Sequence, residues 1–99
     1  MDTHHEFTLP TGHIDARGHV HRVGRMRLAT VLDERAAALD PRGRTEPRYQ
    51  AIVALARVVT KLGELEGDRV TPEMIESLSP ADLAVLSDLY RRLNEIQPS

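Results

Sequence analysis

Apolar and polar positions change period partway along this chain, and the change separates a strand-like part from a helical one. Phe7-Thr8-Leu9 alternates with period two until Pro10-Thr11-Gly12 interrupts it. The next segment, His13-Ile14-Asp15-Ala16-Arg17-Gly18-His19-Val20-His21, has the punctuation of a hairpin. Asp15 opens and Gly18 closes a type I turn, with the glycine left-handed. That register sets Asp15 opposite His19, Ile14 opposite Val20 and His13 opposite His21. Short strands are expected over 6–9, 12–15 and 19–23, with pairing weakening beyond Arg22 because Gly24 follows.

Beyond residue 30 the apolar spacing becomes three and four. Thr30 can cap a helix over 31–39, bracketed by Leu28, Leu32 and Leu39 and ended by Asp40-Pro41-Arg42-Gly43. A longer helix over 46–62 is expected, with Thr45 as cap, Pro47 in its first turn and Lys61 near its negative end. Tyr49, Ile52, Val53, Leu55, Ala56, Val58, Val59 and Leu62 make it apolar over most of its circumference, the mark of a helix covered on several sides. Thr71-Pro72-Glu73 and Ser79-Pro80-Ala81-Asp82 each combine a hydroxyl cap, a first-turn proline and an early acid, so each starts a helix. The last helix presents Leu83, Leu86, Leu89, Tyr90 and Leu93 on one stripe, with Asp82, Ser87, Asp88, Arg91 and Arg92 mainly outside it. The fold class is α+β: a small N-terminal β-hairpin followed by a three- to four-helix cluster. One domain is expected over 6–95, with the hairpin region at 6–24, the helical region at 30–95, and flexible ends at 1–5 and 96–99.

Composition narrows the chemistry. Phe7, Tyr49 and Tyr90 are the only aromatics, so aliphatic side chains must build the core. Net charge is −2, and Arg22, Arg25, Arg27, Arg35, Arg42, Arg44 and Arg48 scatter without aromatic neighbours, which argues against a nucleic-acid partner. The absence of cysteine excludes disulfides, thiolate ligands and cysteine nucleophiles. No apolar run is long enough to span a membrane, and the polar start lacks a signal core, so a cytoplasmic location is expected.

Three imidazoles and a carboxylate (His13, His19, His21 and Asp15) share one face of the expected hairpin, which is a ligand set for a divalent metal. The favoured reading of that face is a wet one, since a short hairpin offers no frame to orient the rings. Glu64, Glu66, Asp68, Glu73 and Glu76 read as a solvated acidic face. Ser77, Ser79 and Ser87 lack a nucleophile elbow, and Gly12, Gly18 and Gly24 lack the spacing of a phosphate loop. No catalytic residue and no cofactor is expected. Apolar surfaces are the stronger candidates: Phe7, Leu9, Ile14 and Val20 on the hairpin, and Tyr49, Ile52 and Leu55 on the central helix, as partner-binding residues.

A family resemblance joins these pieces. Phe7-Thr8-Leu9-Pro10, Met26-Arg27-Leu28-Ala29-Thr30 and Leu55-Ala56-Arg57-Val58-Val59-Thr60-Lys61-Leu62-Gly63 occur in that order, followed by Thr71-Pro72-Glu73-Met74-Ile75-Glu76-Ser77-Leu78-Ser79-Pro80-Ala81-Asp82-Leu83-Ala84-Val85-Leu86. This series, within residues 7–94, resembles the small tail assembly proteins encoded with contractile phage tails and phage-tail-like injection systems. It is similar, more distantly, to the tail assembly chaperones of contractile-tailed phages. The resemblance implies a non-enzymatic role: holding tape-measure or tube components soluble until the tail polymerises. It carries over no catalytic residues, and the His-rich turn has no counterpart in the pattern. Alternatives are a structural subunit retained in the tail or baseplate, and a small His-cluster metal-binding protein. The implied partners are tape-measure, tube or baseplate proteins, with no nucleic acid or membrane, self-association open, and a cytoplasmic or particle-associated location.

Overall fold

Alternating side chains on either side of Asp15-Ala16-Arg17-Gly18 build an antiparallel pair, β1 (His4–Ile14) and β2 (Val20–Arg27). The computed structural model describes residues 4–95, so the flexible ends expected at 1–3 and 96–99 lie outside the described residues. The turn has the expected register, with Ile14 opposite Val20 and His13 opposite His21. The Asp15 N–H donates to the His19 carbonyl at 2.9 Å, and Gly18 closes the turn at φ +85°.

Both strands run further than the sequence suggests. His4 and His5, expected in a flexible end, pair with Arg27 and Met26. The runs at 6–9 and 12–15 belong to one strand, and β2 passes through Gly24 without stopping. Gly24 suits this place because the ring of Phe7, its cross-strand partner, fills the space a side chain would take. Pro10 cannot donate to a ladder, and β1 carries it on the edge of the sheet, inside a register break between Thr8 and His13. Within that break the amides of Thr11 and Gly12 donate to the two carboxylate oxygens of Asp82, each at 2.8 Å.

The chain then forms α1 (Val31–Leu39), α2 (Pro41–Thr45) and α3 (Pro47–Val58). Thr30 caps α1 through a capping box with Asp33. Asp40-Pro41 ends α1 and also opens α2, since the Asp40 carboxylate accepts from the amides of Arg42 and Gly43. Thr45 does not cap the central helix: it is the last residue of α2, its hydroxyl donates to the Arg42 carbonyl, and Glu46 holds the cap position of α3 without a side-chain bond.

The helix expected over 46–62 stops at Val58, and Val59–Leu62 forms a strand, β3. Three consecutive β-branched residues, Val58-Val59-Thr60, favour an extended chain there. β3 pairs with β2 on one side and, through a Gly63-Glu64 turn, with β4 (Leu65–Glu66) on the other. The sheet is antiparallel in the order β1-β2-β3-β4, so Lys61 lies on a strand and approaches Glu66 at 3.8 Å. A single 3₁₀ turn (Gly67–Arg69) leads to α4 (Pro72–Glu76) and α5 (Pro80–Asn94). The hydroxyls of Thr71 and Ser79 accept the amides of Met74 and Asp82, the two caps the sequence announces.

The main core lies between the sheet and the helices: Phe7, Leu9 and Met26 from the first strands, Leu55, Val58, Val59 and Leu62 from α3–β3, and Ile75, Leu78 and Leu86 from the C-terminal part. A smaller cluster of Ala37, Tyr49, Val53 and Ala54 joins α1 to α3, with the Arg42 guanidinium 4.0 Å from the centre of the Tyr49 ring. Leu83, Leu89, Tyr90 and Leu93 pack as partly buried neighbours of the main core, as their stripe predicts. Asp82 departs from the expected outer face and is 0% exposed. At the other end of α5 the Asn94 side-chain oxygen accepts the Ala29 amide at 2.8 Å, so this helix braces the fold at both ends. Among the described residues, no helix is long and apolar enough to cross a membrane.

Replacing Asp82 by Asn keeps the shape but leaves one acceptor oxygen for two amides and aims an N–H₂ at a backbone donor. Asp82→Asn is therefore expected to lower unfolding free energy by about 3 kcal/mol. Urea unfolding checks this, and a midpoint equal to the wild type would remove the clamp from the account of stability.

Candidate partner-binding surface

The hairpin projects from the sheet on a rigid base. Asp82 holds the register break of β1, and the Arg22 side chain donates to the Leu9 carbonyl at 2.9 Å across the same stretch. Beyond this base Ile14 and Val20 face one another across the ladder, 61% and 52% exposed. Their burial would cost little order that the hairpin does not already have. Ile14 also borders an open cleft of about 450 Å³, lined by Thr11, Gly12, His13, Ser77 and Ser79. A short apolar side chain from another protein fits such a place, with hydroxyls at its rim.

The opposite face of the hairpin is not the wet surface expected from sequence. His21 is buried at 4% exposure. Its Nε2 lies 2.9 Å from an Asp15 carboxylate oxygen, and its Nδ1 accepts the Glu64 amide at 3.3 Å. That pattern assigns the ring proton to Nε2. His13 stacks on His21 with centroids 6.0 Å apart, while His19 stays in solvent with Nδ1 3.8 Å from Asp15. Both nitrogens of His21 are thus occupied, and among the described residues no three His, Asp or Glu side chains converge as a metal ion would need. The imidazole instead links β2 to the β3–β4 turn. Gly63 makes this possible at φ +60°, because a Cβ there would fall inside the His21 ring.

The remaining partner-binding candidates sit elsewhere. Phe7, Leu9 and Leu55 are in the main core, and Tyr49 is in the smaller cluster under Arg42. Ile52 is half-buried between the two clusters. The central helix was expected to have more apolar surface than a domain this small can cover, yet α1, α2 and α4 lie against it and its Tyr49, Val53, Leu55 and Val58 are buried. Of the seven candidates, the structure brings only Ile14 and Val20 together on an open face.

Sequence reasoning passed over a charged cluster at the base of α1. The carboxylate of Asp33, 1% exposed, accepts two bonds from the Arg27 guanidinium at 2.7 and 2.9 Å and one from Arg57 at 2.9 Å. It also accepts the Thr30 amide at 2.8 Å. The Arg27 pair above all, then the Thr30 amide and Arg57, holds the Asp33 carboxyl well below the ordinary carboxylate range, against the opposing effect of burial. One sequence signal was available: Thr30-Val31-Leu32-Asp33 has the spacing of a capping box, which turns position 33 inward. An open cleft of about 430 Å³ lies alongside, lined by Arg27, Arg57, Val53, Ala56 and Asp68 among others.

The chain matches no protein-family model, no curated protein and no solved structure.

The hydrogen bond from His21, with the His19 amide, lowers the Asp15 carboxyl from its ordinary 3.8 to about 2. A carboxyl with a lower pKa in the folded state stabilises the fold fully above its unfolded value and loses that contribution as pH falls through the folded one. Asp15 should therefore give a loss of stability between about pH 4 and pH 2, with Asp33 adding to it at the acid end. Urea midpoints at pH 5 and pH 2.5 test the sign, and Asp15→Asn should narrow the gap between them. Gly63→Ala should lower the melting temperature and detach the β3–β4 turn from His21; an unchanged His21 ring environment by NMR would count against this link.

Proposed function

We propose that this chain is a non-enzymatic assembly protein of a phage-tail-like system, one that binds a tape-measure or tube component through the tip of its hairpin. The single observation that carries the reading is the exposed Ile14–Val20 pair, held out from the core on a braced hairpin. The ordered motifs that resemble the small tail assembly proteins give the reading its partner class. The occupied state of the polar groups fits it too: Asp82, Asp33 and His21 are each engaged by backbone amides or ion pairs, as structural groups are.

In mechanism, the apolar pair covers an apolar segment of the client and keeps it from premature self-association. One contact of this size is weak, so that polymerising client displaces it, and several copies along one long client supply the needed occupancy. Co-purification with tube and tape-measure proteins encoded beside this chain tests the proposal. Ile14→Asp with Val20→Asp should abolish capture while the helical circular dichroism stays as in the wild type. Undiminished capture by that variant would sink the hairpin as the docking surface. Presence of the chain in finished, washed particles would instead favour a retained subunit.

A further inference from the structure

The outer face of α1 carries the most exposed large apolar side chains of the described residues, and nothing in the hairpin proposal uses them. At 100° per residue, Asp33 and Ala37 point inward, where Asp33 meets Arg27 and Arg57 and Ala37 joins the cluster with Tyr49 and Val53. The opposite side holds Val31 at 84% exposure, Leu32 at 65% and Leu39 at 52%, with Leu28 beside the helix start. In an ordinary solvated helix those positions are polar. Arg35 stands midway between Val31 and Leu39 on the same side, exposed and with no hydrogen bond or ion pair. The helix is already rigid, being capped by Thr30 and held from below by two guanidinium groups.

We infer that this face is a second docking surface and that its occupant is an acidic amphipathic helix of a partner protein. The charge arrangement selects that occupant. The stripe of α1 offers apolar contacts at helical spacing around one unpaired positive charge, so its complement is a helix with apolar anchors around one carboxylate. A second copy of this chain does not fit. Any two-fold pairing of α1 with itself sets the central Arg35 against its own copy, a like-charge contact without an acid between. This surface is independent of Ile14 and Val20, so the failure of either leaves the other standing.

The test uses the whole chain and a synthetic helical peptide with leucines at i, i+4 and i+7 and a glutamate at i+3, beside a control with lysine in place of glutamate. NMR titration of the labelled protein should move the amides of α1 with the glutamate peptide. Leu32→Ser should raise its dissociation constant about tenfold, and Arg35→Glu should reverse the preference to the lysine peptide. Both changes are on an exposed face, and unchanged melting curves confirm folding. Equal binding of the two peptides, or no α1 response at millimolar peptide, overturns the inference. So does a dimer in sedimentation equilibrium that Leu32→Ser dissolves, because the occupant is then a second copy.

Discussion

The rest of the structure depends on one buried carboxylate. Asp82 accepts two adjacent amides, Thr11 and Gly12, from a strand some seventy residues earlier. Without it, the register break around Pro10 would leave two backbone donors unpaired beside the core, at a cost comparable to a large share of a small domain's stability. With it, the edge strand β1 can bend, carry a proline, and still sit against the start of α5. The interaction costs the carboxylate its water, and the two charge-assisted bonds offset that loss. Because Ser79 caps the same helix turn, the position of Asp82 is set by local geometry before any tertiary contact forms.

That clamp explains how the surfaces are distributed. The hairpin base is fixed at one end of α5, and Asn94 fixes the entry to α1 at the other. Asp33 then pins α1 from below through Arg27 of β2 and Arg57 of α3. Polar groups that resemble chemical sites in isolation are each used to join one segment to another. The apolar groups left outside, Ile14 and Val20 on the hairpin and Val31, Leu32 and Leu39 on α1, are carried on elements that cannot fold back to bury them. Exposed apolar side chains on a braced frame are the feature on which binding readings rest.

Much of the local structure was legible. The turn from Asp15 to Gly18 follows from the backbone needs of its residues, and so do the caps at Thr30, Thr71 and Ser79. The α3–β3 boundary was less so, because Val58-Val59-Thr60 is compatible with an apolar helix until pairing with β2 is available. His21 and Asp82 look solvent-facing by periodicity alone. Each is buried because a distant backbone amide, Glu64 for one and Thr11 with Gly12 for the other, needed an acceptor. The candidate surface divided in the same way. Ile14 and Val20 were recognisable as a cross-strand pair, whereas Phe7, Leu9, Tyr49 and Leu55 looked equally apolar and belong to the interior.

By itself the chain determined where helices and the hairpin begin, since caps, prolines and turn glycines act over a few residues and need no partner. It also determined the α+β class, through the change from period two to period three and four. Tertiary structure decided which apolar side chains are core and which are surface. It decided too that the histidine face is a buried link between strands. The reason is that burial depends on what covers a residue, and the covering groups lie 24 to 71 residues away in the contacts that matter here.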